Sequence, residues 1–194
     1  MMAAMGATLV ILRHGEKPAK TKKNGSLALS SKGKARAAFI AKTYLGRGAV
    51  KPFFGKNGPH AFFAITPHTV ETASPSAETW NLPVTAFCTA AAAGTKDTAL
   101  DLRTADAAKT IRHALKRGRD VVVVWEHHRI ADARLPELQT TLWKLLNLGR
   151  VGASDTWPDD DYDTIWRIEC GASGKPKKFQ HFPQGFRFKQ KPHA

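Results

Sequence analysis

The chain has 194 residues, with 30 Lys and Arg against 16 Asp and Glu, for a formal net charge of +14. Hydrophobic residues make up 42% and charged residues 24%, a globular composition that excludes a disordered polyelectrolyte. No run nears the roughly 20 apolar residues that span a bilayer, so no membrane partner is expected. Cys88 and Cys170 stand far apart and outside any CxxC spacing. That excludes a disulfide framework or a thiolate zinc set and points to a reducing, cytoplasmic setting. The length fits a single domain over 1–194, with a basic tail from about residue 175. The positive field calls for an anionic partner: a phosphorylated molecule, or less readily nucleic acid. The lysine-rich runs 17–34 and 175–191 read first as solvated surface.

In chain order, the apolar start lacks a basic leader and runs straight into Arg13 and His14, so it reads as a strand rather than a secretion signal. Thr8–Leu12 is a short, continuous apolar run of the kind buried on both faces of a parallel sheet. Ser30 and Ser31 offer N-caps for a helix through Tyr44, with Ala35, Ala38, Phe39 and Lys42 on one face and Gly46 and Gly48 ending it. A second strand follows at His60–Ile65, a helix at Val70–Trp80 and a third strand at Leu82–Phe87. Ala90–Arg103 reads as irregular, and Ala105–Lys116 as a helix closed by Gly118. Asp120–Val124, with four consecutive valines, is the strongest strand. Arg134–Leu148 reads as a helix stopped by Gly149, and Asp163–Cys170 as a last strand at an edge, possibly antiparallel. The tail shows no helix or repeat.

Alternating strands and helices with short links give an α/β fold: a three-layer α/β/α sandwich around a mostly parallel sheet with one antiparallel edge strand. Ligands of such sheets bind beyond the C-terminal strand ends. Arg13-His14-Gly15-Glu16 follows the first strand, and Glu126-His127-His128-Arg129 follows the valine strand. Two strands thus deliver a histidine each to one sheet edge. Imidazole is a competent nucleophile toward phosphorus. Arg13 supplies a forked, permanent cation for phosphoryl oxygens, and Gly15 lets backbone approach an anion. His127 adds a donor.

The string Leu-Arg-His-Gly-Glu after an apolar strand resembles the signature of the histidine phosphatase superfamily, in its phosphoglycerate mutase-like branch. Leu29 to Arg36 is similar to that family's opening of its first helix, and Thr66 to Ala73 to the segment that carries a second pocket arginine. Val121 to His127 resembles the strand that delivers the second histidine, and Trp157 to Tyr162 has the character of small bacterial members. The resemblance implies attack by His14 on phosphorus, a phosphohistidine intermediate, and phosphate held by Arg13 and His127, with no metal or other cofactor. Gly15, Glu16, Lys20, His68 and Glu126 complete the expected pocket. Position 68 carries histidine where the family has its second arginine, and Lys20 stands near a position at which some members keep asparagine. The general acid is left between Asp97 and Glu126.

Against these readings, a core histidine satisfied by backbone is the plain alternative for His14, and a helix-start residue for His68. Adjacent positions on an extended chain point oppositely, so one of His127 and His128 faces the pocket, and His127 is favoured. Neighbouring histidines make a poor metal pair on their own. Arg36 reads as a surface or salt-bridge residue. A phosphatase is favoured over a mutase, which needs longer insertions over its site. The alternatives are a phosphate-binding protein without turnover and a basic nucleic-acid-binding module.

Overall fold

The computed structural model describes residues 6–19, 28–87, 96–135 and 140–188. Six strands form one sheet: β1 (Ala7–Arg13), β2 (Ala61–Ala64), β3 (Val84–Ala86), β4 (Val121–Trp125), β5 (Thr164–Cys170) and β6 (Pro176–Pro183), in the order β3-β2-β4-β1-β5-β6. The pairs β1–β4, β2–β4 and β2–β3 are parallel, while β5 runs antiparallel to both β1 and β6. Helices are α1 (Ser31–Ile40), α2 (Pro67–Thr79), α3 (Lys96–Lys116), α4 (His127–Ile130) and α5 (Leu142–Leu146).

The period-2 alternation of the strands sorts the core into two layers. Leu9 and Ile11 of β1 join Val121, Val123 and Trp125 of β4 in one layer, against Ala107, Ile111 and Leu115 of α3 and Leu142 and Leu146 of α5. Val10, Leu12, Val122 and Val124 face the other way, onto Ile40 of α1 and Ala73 and Ala77 of α2. All four valines are 0–1% exposed, and burying such a side chain is worth about 1.5–3 kcal/mol. β1 and β4 are therefore the rigid centre. Their register, Arg13 opposite Trp125, brings both chain segments off the sheet at the same level.

Several expectations shift. The buried face of α1 is Gly33, Arg36, Ala37 and Ile40 rather than Ala35, Ala38, Phe39 and Lys42, because Gly33 must meet backbone and Arg36 reaches the half-buried Glu16 carboxylate. The helix continues in wider π-helical turns at Ala41–Leu45. α2 starts three residues early, at Pro67, whose fixed φ suits the first helical position. α3 begins at Lys96, so the part of the expected irregular stretch after residue 95 is helical, and residues 88–95 lie outside the described ones. Of the expected helix Arg134–Leu148, residues 136–139 lie outside the described ones, and among the described residues the α-helical part is Leu142–Leu146. Thr141 caps its start by accepting from the Lys144 N–H at 3.2 Å, and Asn147 at φ 59° ends it. β5 is antiparallel but not at the edge, because the basic tail supplies β6 outside it. No helix among the described residues is long and apolar enough to cross a membrane.

Candidate active site at the ends of the two central strands

His14 follows β1 directly and is 1% exposed. Its Nδ1 lies 2.7 Å from the Gly15 carbonyl oxygen and its Nε2 3.3 Å from Oε2 of Glu126. Both ring nitrogens face acceptor oxygens, an arrangement that only the doubly protonated imidazolium satisfies in full. The ring sits 5.9 Å from that of His68 and 5.9 Å, edge-on, from that of Tyr162.

Glu126 is the residue between β4 and α4. Its side chain is 8% exposed and accepts from the Thr66 hydroxyl at 2.8 Å and from Lys17 Nζ at 3.4 Å. Burial alone would raise its pKa. The hydrogen bond and charge of His14, the charge of Lys17 and the Thr66 hydroxyl outweigh it, and hold the carboxyl well below the usual carboxylate range. Glu126 is therefore ionised. It can take a proton, and it acts as an acid only after it has received one.

His127 opens α4 with Nε2 at 3.2 Å from Oδ1 of Asp159, while Nδ1 is buried without a hydrogen-bond partner. Burial, then the charges of Arg13 and His128, push its pKa down to about 4, so the ring is neutral at physiological pH. His128 packs edge-on against it, ring centroids 5.1 Å apart. Arg13 is gripped by the 159–162 segment. It donates to the carbonyls of Asp159 and Asp161 and, at 3.0 Å, to the Tyr162 hydroxyl, with its guanidinium 3.8 Å above the Tyr162 ring. Tyr162 thus touches both Arg13 and His14.

Gly15 has a different reason from the expected one. A Cβ there would lie 2.8 Å from the Gly33 carbonyl oxygen, and one on Gly33 would lie 2.3 Å from that of Glu16. Two glycines let the loop after β1 press on the start of α1, and the Gly15 N–H donates to Thr72 Oγ1 at 2.8 Å. The Glu16 carboxylate is taken up by Arg36 at 2.7 and 3.0 Å and by Lys32 at 3.2 Å, so it braces the loop against α1. Arg36 is buried and also reaches Gln184 and Asp163; the salt-bridge reading fits, the surface one does not. His68 lies in the first turn of α2, buried and beside His14. Lys20 lies outside the described residues, as does the side chain of Asp97.

Sequence reasoning missed Thr66, Lys17, Asp159 and Tyr162 as parts of the site. The run Asp159-Asp160-Asp161 in a chain of net charge +14 was the available signal for the last two. The structure brings His14, Glu126, His127 and Arg13 together where β1 and β4 end, with His68 beside them at the start of α2.

A separate cavity of about 690 Å³ lies near the β5–β6 turn, toward the other end of β1. Arg112, Lys116, Arg150, Lys175 and Lys177 line it, and none of the site residues above does.

The fold is one that solved structures of known phosphatases share. Among solved structures with it, the protein histidine phosphatase SixA complexed with tungstate is 16% identical, with TM-score 0.53 over 91% of this chain and 97% of that one. The native mycobacterial glucosyl-3-phosphoglycerate phosphatase is 14% identical, with TM-score 0.50 over 92% and 98%. The same enzyme complexed with VO3 is 13% identical, with TM-score 0.51 over 91% and 97%. At these identities the likeness is one of fold. No protein-family model and no curated protein matches the sequence.

Proposed function

We propose that the chain is a metal-independent phosphomonoesterase that works through a phosphohistidine on His14. The observation that carries this reading is the seating of the ring. Nδ1 is tied to the Gly15 carbonyl, so Nε2 is the attacking atom, and an ionised carboxylate stands 3.3 Å from it to accept its proton. The Nε2 proton passes to Glu126, and the freed lone pair forms the N–P bond as the bond from phosphorus to the leaving oxygen breaks. Glu126 returns the proton to that oxygen. In the second step Glu126 takes a proton from water, the hydroxide oxygen bonds to phosphorus as the N–P bond breaks, and Glu126 passes the proton back to Nε2, which regenerates both residues. Glu126, rather than Asp97, is the acid–base group in this scheme.

Charge on the three peripheral oxygens is met by Arg13, Lys17, His68 and His127, which makes a metal unnecessary. An arriving phosphate dianion raises the proton affinity of His127. Its Nδ1–H then donates to phosphate while Nε2–H donates to Asp159. The substrate class is a phosphorylated small molecule or phosphoprotein, and the solved structures of the same fold are named as phosphatases of both kinds. A cytoplasmic setting fits the buried free thiol of Cys170, pushed up to about 12 by burial and the charge of Asp120.

The test is release of phosphate from an aryl phosphate near pH 6 with a chelator present, wild type beside His14→Ala. Turnover that survives the chelator and vanishes in the variant supports the reading. Equal activity in both would refute it. A second reading, phosphate binding without turnover, draws on one observation: the ionised Glu126 repels a phosphate brought to Nε2. It predicts vanadate binding with no release of phosphate from any ester.

A further inference from the structure

His14, Glu126 and His127 each offer a ligating atom, and the three atoms lie within 4.8 Å of one another. Each side chain is also held by a second group on its far side. His14 is fixed through Nδ1 by the Gly15 carbonyl, Glu126 through Oε1 by the Thr66 hydroxyl, and His127 through Nε2 by the Asp159 carboxylate. Outer partners of this kind are what orient histidine and carboxylate ligands toward a metal. The atoms that remain to bind an ion are His14 Nε2 and Glu126 Oε2, which now face each other with Lys17 Nζ 3.4 Å from Oε2, and His127 Nδ1, buried with no partner of its own. The 3.3 Å between Nε2 and Oε2 matches the edge of a tetrahedron with bonds of about 2.0 Å, and the ligand set, spread over as much as 4.8 Å, would draw in around the ion.

We propose that these three residues form a two-histidine, one-carboxylate site for a divalent first-row transition cation, Zn2+ being the best match, with a fourth position open to solvent. The site rests on geometry alone; what it does rests on the phosphatase reading. A cation bound there uses the His14 lone pair that would form the N–P bond and replaces the proton on Nε2. Metal binding and phosphoenzyme formation therefore exclude each other, and the cation is an inhibitor that competes with substrate. Two positive groups oppose it. Arg13 is drawn off by the Asp159 and Asp161 carbonyls, and Lys17, 39% exposed, has room to swing into solvent.

The experiment is titration of chelator-stripped protein with Co2+, followed by visible absorption, then displacement by Zn2+, with phosphate release measured in parallel. One equivalent of Co2+ is expected, with the intense bands of a four-coordinate ion. His14→Ala, Glu126→Gln and His127→Ala should each weaken binding at least about tenfold. Asp159→Asn, at an exposed position that leaves the fold alone, should weaken it by about 10- to 100-fold. His113→Ala, on the exposed face of α3, should not change it. Zn2+ should abolish turnover and a chelator restore it. No Co2+ spectrum at millimolar ion, or one indifferent to these four substitutions, overturns the site. Binding with no turnover in stripped protein would sink the phosphatase reading and leave the site standing. Turnover without binding does the reverse.

Discussion

Arg36→Met should be among the most damaging single changes outside the pocket. Arg36 is 5% exposed, and its guanidinium donates to both Glu16 oxygens at 2.7 and 3.0 Å, to Gln184 at 2.9 Å and to Asp163 at 3.3 Å, with Phe186 stacked 4.6 Å away. Methionine fills much of the same volume but strands the Glu16 carboxylate. Removing one partner of a buried pair costs about 3–5 kcal/mol. The lower end applies, since Glu16 keeps Lys32 and Asp163 is 45% exposed. A loss of about 3 kcal/mol lowers the Tm by roughly 6–12 °C in a chain of this length. Urea unfolding with an unchanged m-value reads it directly. The double change Arg36→Met with Glu16→Gln should recover about 1–2 kcal/mol, because no charge is left unpaired. A single change costing under about 1 kcal/mol, or a double as unstable as the sum of its parts, would refute the argument.

His127 binds its proton at about 4 in the folded chain but near 6.5 when unfolded, so between those values only the unfolded chain is charged. Stability should fall by up to about 3 kcal/mol as pH drops through that window. His127→Gln should flatten the slope, as read from urea midpoints near pH 7.5 and about pH 4.5; equal slopes would count against it. In Gly33→Ala the new Cβ meets the Glu16 carbonyl at 2.3 Å, so the loop carrying His14 must shift. A loss of about 1–3 kcal/mol and reduced turnover are expected in thermal melts and phosphate release. Tyr162→Leu removes the face beneath Arg13, worth about 1–2 kcal/mol, and should lower kcat/KM about tenfold. Tyr162→Phe, which keeps the ring, should lose less.

The parts of the fold that were legible are those in which one physical signal dominates. The runs Thr8–Leu12 and Val121–Val124 are buried on both faces, so apolar continuity alone marks them, and the residues after them fall at the sheet edge by topology. The failures have specific causes. Thr104 occupies a buried position on α3 and accepts from Trp125 Nε1 at 3.2 Å, so a polar residue breaks the apolar period just where the helix was cut short. Arg36 and Gly33 are core residues of α1 that no hydropathy pattern selects. The strand β6 is built from Lys, Phe and Pro with little alternation, and only pairing with β5 reveals it. In the site, His14 and His127 announce themselves as residue types. Tyr162 and Thr66 do not, because a tyrosine under an arginine and a threonine on a carboxylate are ordinary residues until the fold joins segments far apart in the chain.

β6 has a consequence for the molecule in solution. An outermost strand leaves a row of unpaired backbone groups, open to a strand from another chain. Here that strand begins and ends in proline, which cannot donate to a ladder, and Lys177 and Lys178 stand exposed along it. A second copy would have to bring its own lysines against these, on a body already carrying +14. The basic tail thus makes the long side of the sheet self-repelling toward a second copy.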